Sequence, residues 1–239
     1  MNTLIEAINV SKSFHRDAQE VMALDGVSLN IAEGDFVALM GPSGSGKTTL
    51  LNMMAGIDRP TGGTLKVLGS EPGKMGEGEL AKWRNRYVGY VFQSFNLIPV
   101  LTAFENVELP LLLTKIGKAD RSRRVLTALD LVGLTDRVKH YPRQLSGGQE
   151  QRVAIARSIV IDPTLILADE PTGDLDAHSA QEVMEIFQRL NKDFGKTIVL
   201  VTHDPRAAQY AHTQYHLDKG VLVEGHVEGH VEGHGDGHA

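Results

Sequence analysis

The sequence predicts an α/β fold: a parallel sheet flanked by helices, a second antiparallel sheet, and a helical lobe inserted into the core. Three observations carry this. Short apolar runs alternate with helical stretches along the chain. Leu165-Ile166-Leu167-Ala168 and Ile198-Val199-Leu200-Val201 are apolar without a break, as parallel strands covered on both faces are, whereas Val27, Leu29 and Ile31 alternate with polar residues as a half-buried antiparallel strand does. Between Ser94 and roughly Val160 the strand signals vanish.

Taken in order, Leu4 to Val10, Val27 to Ile31, Phe36 to Met40, Thr64 to Leu68, Tyr87 to Phe92, Thr164 to Ala168 and Thr197 to Thr202 read as strands. Within the strand-free stretch, Ala103 to Leu113 and Arg121 to Val132 repeat at helical spacing, which places a helical subdomain at about residues 94–160. From Glu224 the text becomes EGHVEGHVEGHGDGHA, with a Gly-His pair every four residues and too much glycine to hold a helix. The expectation is one domain over residues 1–223 and a disordered tail over 224–239.

At 239 residues the chain is long enough to bury a large core. It contains nothing like the roughly 20 consecutive apolar residues that cross a bilayer. MNTLIEAINVSKSF lacks the basic start, apolar run and small-residue site of a secretory signal, so a cytoplasmic location is expected. The absence of cysteine excludes disulfides, thiolate metal sites and cysteine catalysis. Net charge is -6, but Glu224, Glu228, Glu232 and Asp236 lie in the last stretch; without them 26 acidic residues face 24 basic ones. Such a balanced body lacks the positive field of a dedicated nucleic-acid binder.

The segment FVALM-GPSGSGKTTL-LNMMAG carries the strongest local chemistry. Gly41, Gly46, Lys47 and Thr48 fit GxxxxGK[ST] directly after an apolar strand and at the opening of a helical pattern. Backbone N–H groups across Gly41, Ser43, Gly44, Ser45, Gly46 and Thr49 can turn inward around a β-phosphate, assisted by the positive end of the helix. Lys47 would reach the β- and γ-phosphates, and the Thr48 hydroxyl would ligate Mg²⁺. The apolar run Thr164 to Ala168 ends in Asp169 and Glu170, which strand alternation points to opposite sides. Asp169 would then hold Mg²⁺ through its water shell, while Glu170 would polarise the attacking water as general base.

Leu145-Ser146-Gly147-Gly148-Gln149, followed by the helical stretch EQRVAIARSIV, decides the branch, because it resembles the signature motif of ABC ATPases. A serine cap and two glycines at a helix start make a second anion-binding nest, without a lysine of its own. The resemblance implies ATP and Mg²⁺ as cofactors and a P-loop NTPase fold with a RecA-like core, an antiparallel β subdomain and an inserted helical subdomain. It also implies a homodimer paired head to tail, in which Ser146, Gly147, Gly148 and Gln149 touch ATP bound to the phosphate loop of the opposite copy. Further elements follow along residues 4–223. Phe14 resembles the aromatic that stacks on adenine, usually a tyrosine. Gln93 resembles the loop glutamine that senses Mg²⁺ and water, and His203 the switch histidine that binds the γ-phosphate. Asp174-Leu175-Asp176 resembles the loop crossing the dimer seam, with Gly173-Asp174 in place of the common Ser-Ala.

DEPTGDLD and FQSFNLIPVLTAFENVELPLLL look most like ATPases of the macrolide-efflux, lipoprotein-releasing and cell-division group. That resemblance implies an integral membrane permease as partner, no nucleic acid, and a peripheral position on the cytoplasmic face of the plasma membrane. It also implies export or mechanotransmission, with the permease's coupling helix near Gln93 and the helical lobe. A soluble ABC ATPase acting on nucleic acid or ribosomes is the alternative, although no coiled coil, zinc module or second cassette is visible. A GTPase needs NKxD, and Asn191-Lys192-Asp193 is followed by Phe194. A small-molecule kinase has no use for LSGGQ. In the tail, His226, His230, His234 and His238, each beside an acidic residue, form a candidate metal-binding tract.

Overall fold

The computed structural model describes residues 2–16 and 19–223. The expected tail, 224–239, and its histidines lie outside the described residues. Two sheets are built. Strands β1 (Thr3–Arg16), β2 (Gln19–Ala32) and β4 (Gly62–Val67) form a three-stranded antiparallel sheet in the order β2-β1-β4. Strands β3 (Phe36–Met40), β5 (Val88–Val91), β6 (Leu165–Asp169), β7 (Thr197–Val201), β8 (Thr213–Asp218) and β9 (Val221–Val223) form the second sheet. Its order is β5-β6-β7-β3-β8-β9, parallel except for β9, which runs antiparallel to β8.

The unbroken apolar strands are explained by what covers them. Successive side chains of a strand leave opposite faces. Val37, Leu39, Leu165, Leu167, Val199 and Val201 join a core with Leu50, Leu51, Met53 and Met54 of helix α1 (Lys47–Met54) and the inner face of the antiparallel sheet. Phe36, Ile166, Ala168, Ile198 and Leu200 pack on the other face against α5 (Gly147–Ile159) and α6 (Ala177–Lys192). Helix α1 is therefore sandwiched between the two sheets. Val27, Leu29 and Ile31 are buried on β2, as their alternation requires.

Helix α2 (Glu77–Tyr87) leads into β5. No strand occurs between β5 and β6; that stretch holds α3 (Ala103–Leu112), α4 (Lys118–Leu131) and α5. Helix α3 opens with a capping box between Thr102 and Glu105. A four-residue α7 (Pro205–Ala208) follows β7.

The structure departs from the expected strands in two places. β1 and β2 extend together as a long hairpin through the polar stretches SKSFHR and QEVMALDG. β8 carries no continuous apolar run and β9, the edge strand, has only the three residues Val221-Leu222-Val223; of the residues in both, only Leu217 is buried.

Candidate active site

Four of the expected site segments sit at the carboxyl ends of parallel strands, where open α/β sheets place their ligands. β3 runs into residues 41–46, β5 into Gln93, β6 into Glu170 and β7 into His203. The register sets Leu39 and Asp169 both opposite Val201, so three strand ends meet at one level.

The loop after β3 turns on glycines with φ of 141° at Gly41 and 101° at Gly46. A Cβ at Gly41 would overlap the Leu217 carbonyl, and one at Gly46 would fall 2.5 Å from the Ala23 carbonyl. Close backbone approach as well as conformation demands glycine there. Ser43 and Gly44 are exposed on the loop, Ser45 is buried, and Thr49 is half-buried on α1. Lys47 is buried, and its ammonium donates to the carbonyls of Gly41 and Pro42, both at 2.8 Å. The Thr48 hydroxyl donates to Asp169 Oδ1 at 2.9 Å, joining the start of α1 to the end of β6. Burial pushes the Asp169 carboxyl above its ordinary range; the Thr48 hydrogen bond opposes this, the Glu170 charge adds to it, and Lys47 opposes it.

Asp169 and Glu170 do diverge, although not by strand alternation. β6 ends at Asp169, and Glu170 adopts a left-handed φ of 46°, held by its N–H donating to the Val201 carbonyl at 2.9 Å. A non-glycine residue in that region carries backbone strain of order 1 kcal/mol. The turn delivers Glu170 Oε2 to within 2.6 Å of His203 Nδ1. Gln93 is exposed, and its amide nitrogen faces Asp174 Oδ1 at 3.5 Å. Among the described residues it forms no hydrogen bond with Thr48 or Asp169. Phe14 lies on the β1-β2 hairpin opposite Val21, and the same hairpin abuts the phosphate loop where Ala23 and Leu24 meet Gly46.

The signature segment caps α5. Ser146 Oγ accepts from the Gln149 N–H at 3.3 Å, and Gln149 Oε1 accepts from the Ser146 N–H at 3.0 Å, a reciprocal capping box. Gly147 and Gly148 lie where α5 meets other loops. A Cβ on Gly147 would touch the Phe95 ring and Leu175 at 3.7 Å, and one on Gly148 would sit 2.6 Å from Ser179 Oγ. Ser146 Oγ and Gln149 Oε1 thus accept within the cap, while the two glycines lie against Phe95 of the Gln93 loop, Leu175 before α6 and Ser179 on α6.

Two residues escaped the sequence reasoning. Gln151, fully buried, donates to the carbonyls of Pro171 at 2.7 Å and Phe92 at 3.2 Å, binding α5 to the segments beside Glu170 and Gln93. The helical spacing Gly148, Gln151, Ile155 marks it as inward-facing, a signal that could have found it. Arg157 donates to the carbonyls of Phe95 at 2.8 Å and Asn96 at 2.6 Å, two residues held at left-handed φ of 53° and 49°. Burial lowers the Arg157 pKa.

A family profile described as ABC transporter matches residues 24–173. The chain belongs to the ABC transporter family. This ABC cassette is 46% identical over 221 residues to the macrolide export ATP-binding/permease protein MacB of Syntrophobacter fumaroxidans, covering 92% of the chain and 31% of that protein. It is 42% identical to the lipoprotein-releasing system ATP-binding protein LolD of Geobacter metallireducens, covering 93% and 99%. Its fold is similar to the ATP-binding cassette MJ0796 of Methanocaldococcus jannaschii, solved as a dimer in a post-hydrolysis state bound to ADP and Pi. The TM-score is 0.86 at 42% identity, over 92% of this chain and 97% of that one. The cassette is therefore an ATPase with the P-loop NTPase fold. No helix among the described residues is long and apolar enough to cross a membrane.

Proposed function

We propose that this cassette binds and hydrolyses ATP as a head-to-tail homodimer and drives a separate integral membrane permease, in export or mechanotransmission, from the cytoplasmic face of the plasma membrane. The observation that carries the reading is the placement of the two anion-binding helix starts. Within one chain, Ser146 and its glycines open α5 against the segments that carry Phe95, Leu175 and Ser179, while Lys47 and Thr48 open α1 beside Asp169. A triphosphate on Lys47 is then completed by Ser146, Gly147, Gly148 and Gln149 of a second copy. The dimer of MJ0796 and the ATP-binding/permease architecture of MacB, of which this chain spans 31%, support the two partners.

In this scheme Lys47 and the amides of residues 41–49 take the phosphates, and Phe14 takes the adenine. Thr48 and Asp169 present an oxygen pair 2.9 Å apart, a hard donor set that suits Mg²⁺, and a cation there relieves the burial that raises the Asp169 pKa. When bound, Mg²⁺ supplies charge neutralisation on the phosphate oxygens. Glu170 accepts the proton of the attacking water, His203 holds the Glu170 carboxylate and the γ-phosphate, and Gln93 orients the water. ATP selects the closed dimer because it contacts both copies only there, and hydrolysis removes the bridging charge.

Complementation tests the shared site. Lys47→Ala and Ser146→Ala are each inactive, but mixing them forms heterodimers in which one site keeps both the lysine and the serine. The mixture regains phosphate release. If it stays as inactive as its components while heterodimers form, the site is not shared.

A further inference from the structure

The antiparallel sheet contains a buried lysine that the reaction above does not use. Lys12 is 8% exposed and sits two residues before Phe14 on β1. An ammonium has three N–H donors and, when buried, needs an acceptor for each. Asp58 Oδ1 takes one at 2.5 Å and the Arg59 carbonyl takes a second at 2.8 Å. The third is left for the face of the Phe14 ring, whose centroid lies 4.8 Å from Nζ. Phe14 itself is 43% exposed, so one ring face meets the ammonium while the side chain stays open to solvent.

We infer that Lys12 is a positioning residue for the nucleotide base, holding the Phe14 ring as a platform on which the adenine stacks. This rests on the assignment of Phe14 to the adenine. Two physical effects follow from the geometry. A phenylalanine on a hairpin surface has no polar handle, and the cation on its face is what fixes its plane, so less side-chain freedom is lost when the base arrives. The ammonium also draws π density toward itself, which lowers the negative charge of the opposite face and its repulsion of the adenine face. Asp58 and Arg59 follow the end of α1, the phosphate-loop helix, so Lys12 ties the base platform to the element that carries the phosphate site.

The test uses the full chain and steady-state ATP hydrolysis, with inorganic tripolyphosphate as a competitor that has no base. Lys12→Met raises KM for ATP about three- to fivefold at unchanged kcat, while inhibition by tripolyphosphate does not move. Lys12→Arg, which keeps a cation at the ring, restores KM. Lys12→Met leaves Asp58 unpaired, so Lys12→Met/Asp58→Asn serves as the variant without a stranded charge and shows the same KM rise. Phe14→Ala raises KM about tenfold or more, and adding Lys12→Met to it produces no further rise. If Phe14→Ala raises KM and neither Lys12 variant does, or if tripolyphosphate weakens in parallel with ATP, the inference fails alone. If Phe14→Ala leaves KM unchanged, the adenine assignment fails and takes the inference with it.

Discussion

The second glycine of the signature segment gives a prediction whose size comes from packing. In Gly148→Ala the new Cβ lies 2.6 Å from Ser179 Oγ and 2.7 Å from Ser179 Cβ, well inside contact distance. Rotation of the hydroxyl cannot relieve it, because the serine Cβ also clashes, and Ser179 is held twice by Asp176, through Oγ at 2.7 Å and N–H at 3.0 Å. The start of α5 or α6 must therefore move. Overpacking of this kind costs about 1–3 kcal/mol. Alanine returns up to about 1 kcal/mol of helix propensity over glycine. With the full return the net is a loss of up to about 2 kcal/mol, a fall in Tm of up to about 8 °C for a domain of this size. Because Ser146 rides on the displaced end of α5, phosphate release falls with it. Ser179→Gly deletes both clashing atoms, so Gly148→Ala/Ser179→Gly recovers activity relative to the single variant, with a coupling of at least about 1 kcal/mol in urea unfolding. Effects of the two substitutions that add within about 0.5 kcal/mol would refute the packing argument.

Three further outcomes are expected. Glu170→Gln retains ATP binding, accumulates as a closed dimer on gel filtration and loses turnover by about 10²–10⁴-fold; near-normal phosphate release overturns its role as base. Lys47→Ala loses a charge-assisted contact worth about 1.5–3 kcal/mol, so equilibrium titration finds ATP bound about 10- to 150-fold more weakly, and unchanged affinity counts against the phosphate assignment. Calorimetric titration of Zn²⁺ into the full chain releases heat that is lost when His226, His230, His234 and His238 are all replaced by alanine; equal heat in both proteins removes the tail as a metal ligand.

What the sequence disclosed and what it withheld divide along a physical line. Asp169 and His203 were legible as candidates because each sits at the end of a short apolar run, and a buried parallel strand cannot hide its composition, while the glycines between β3 and α1 marked Lys47 and Thr48. Ser146 was legible as a helix cap. Gln151, Arg157 and Lys12 were not, because each donates to a backbone carbonyl 59, 61 and 47 residues away in the chain. A carbonyl has no sequence signature. β8 and β9 were missed for another reason: β8 buries only Leu217, and the three-residue run of the edge strand β9 is too short to mark a strand.

The withheld residues share a task. Gln151 binds α5 to the carbonyls at Phe92 and Pro171, one residue before Gln93 and one after Glu170. Arg157, nearly two turns further along the same helix, donates to the carbonyls of Phe95 and Asn96, both in left-handed conformations. Gln151 is fully buried, so breaking its bonds strands a polar group away from water at a cost of about 1–3 kcal/mol, and the half-buried Arg157 adds a second tie. The Gln93 loop and the signature helix are therefore joined by bonds too costly to break separately. A displacement of that loop carries Ser146 with it, which is the mechanical connection that the proposed sharing of a nucleotide between two copies requires.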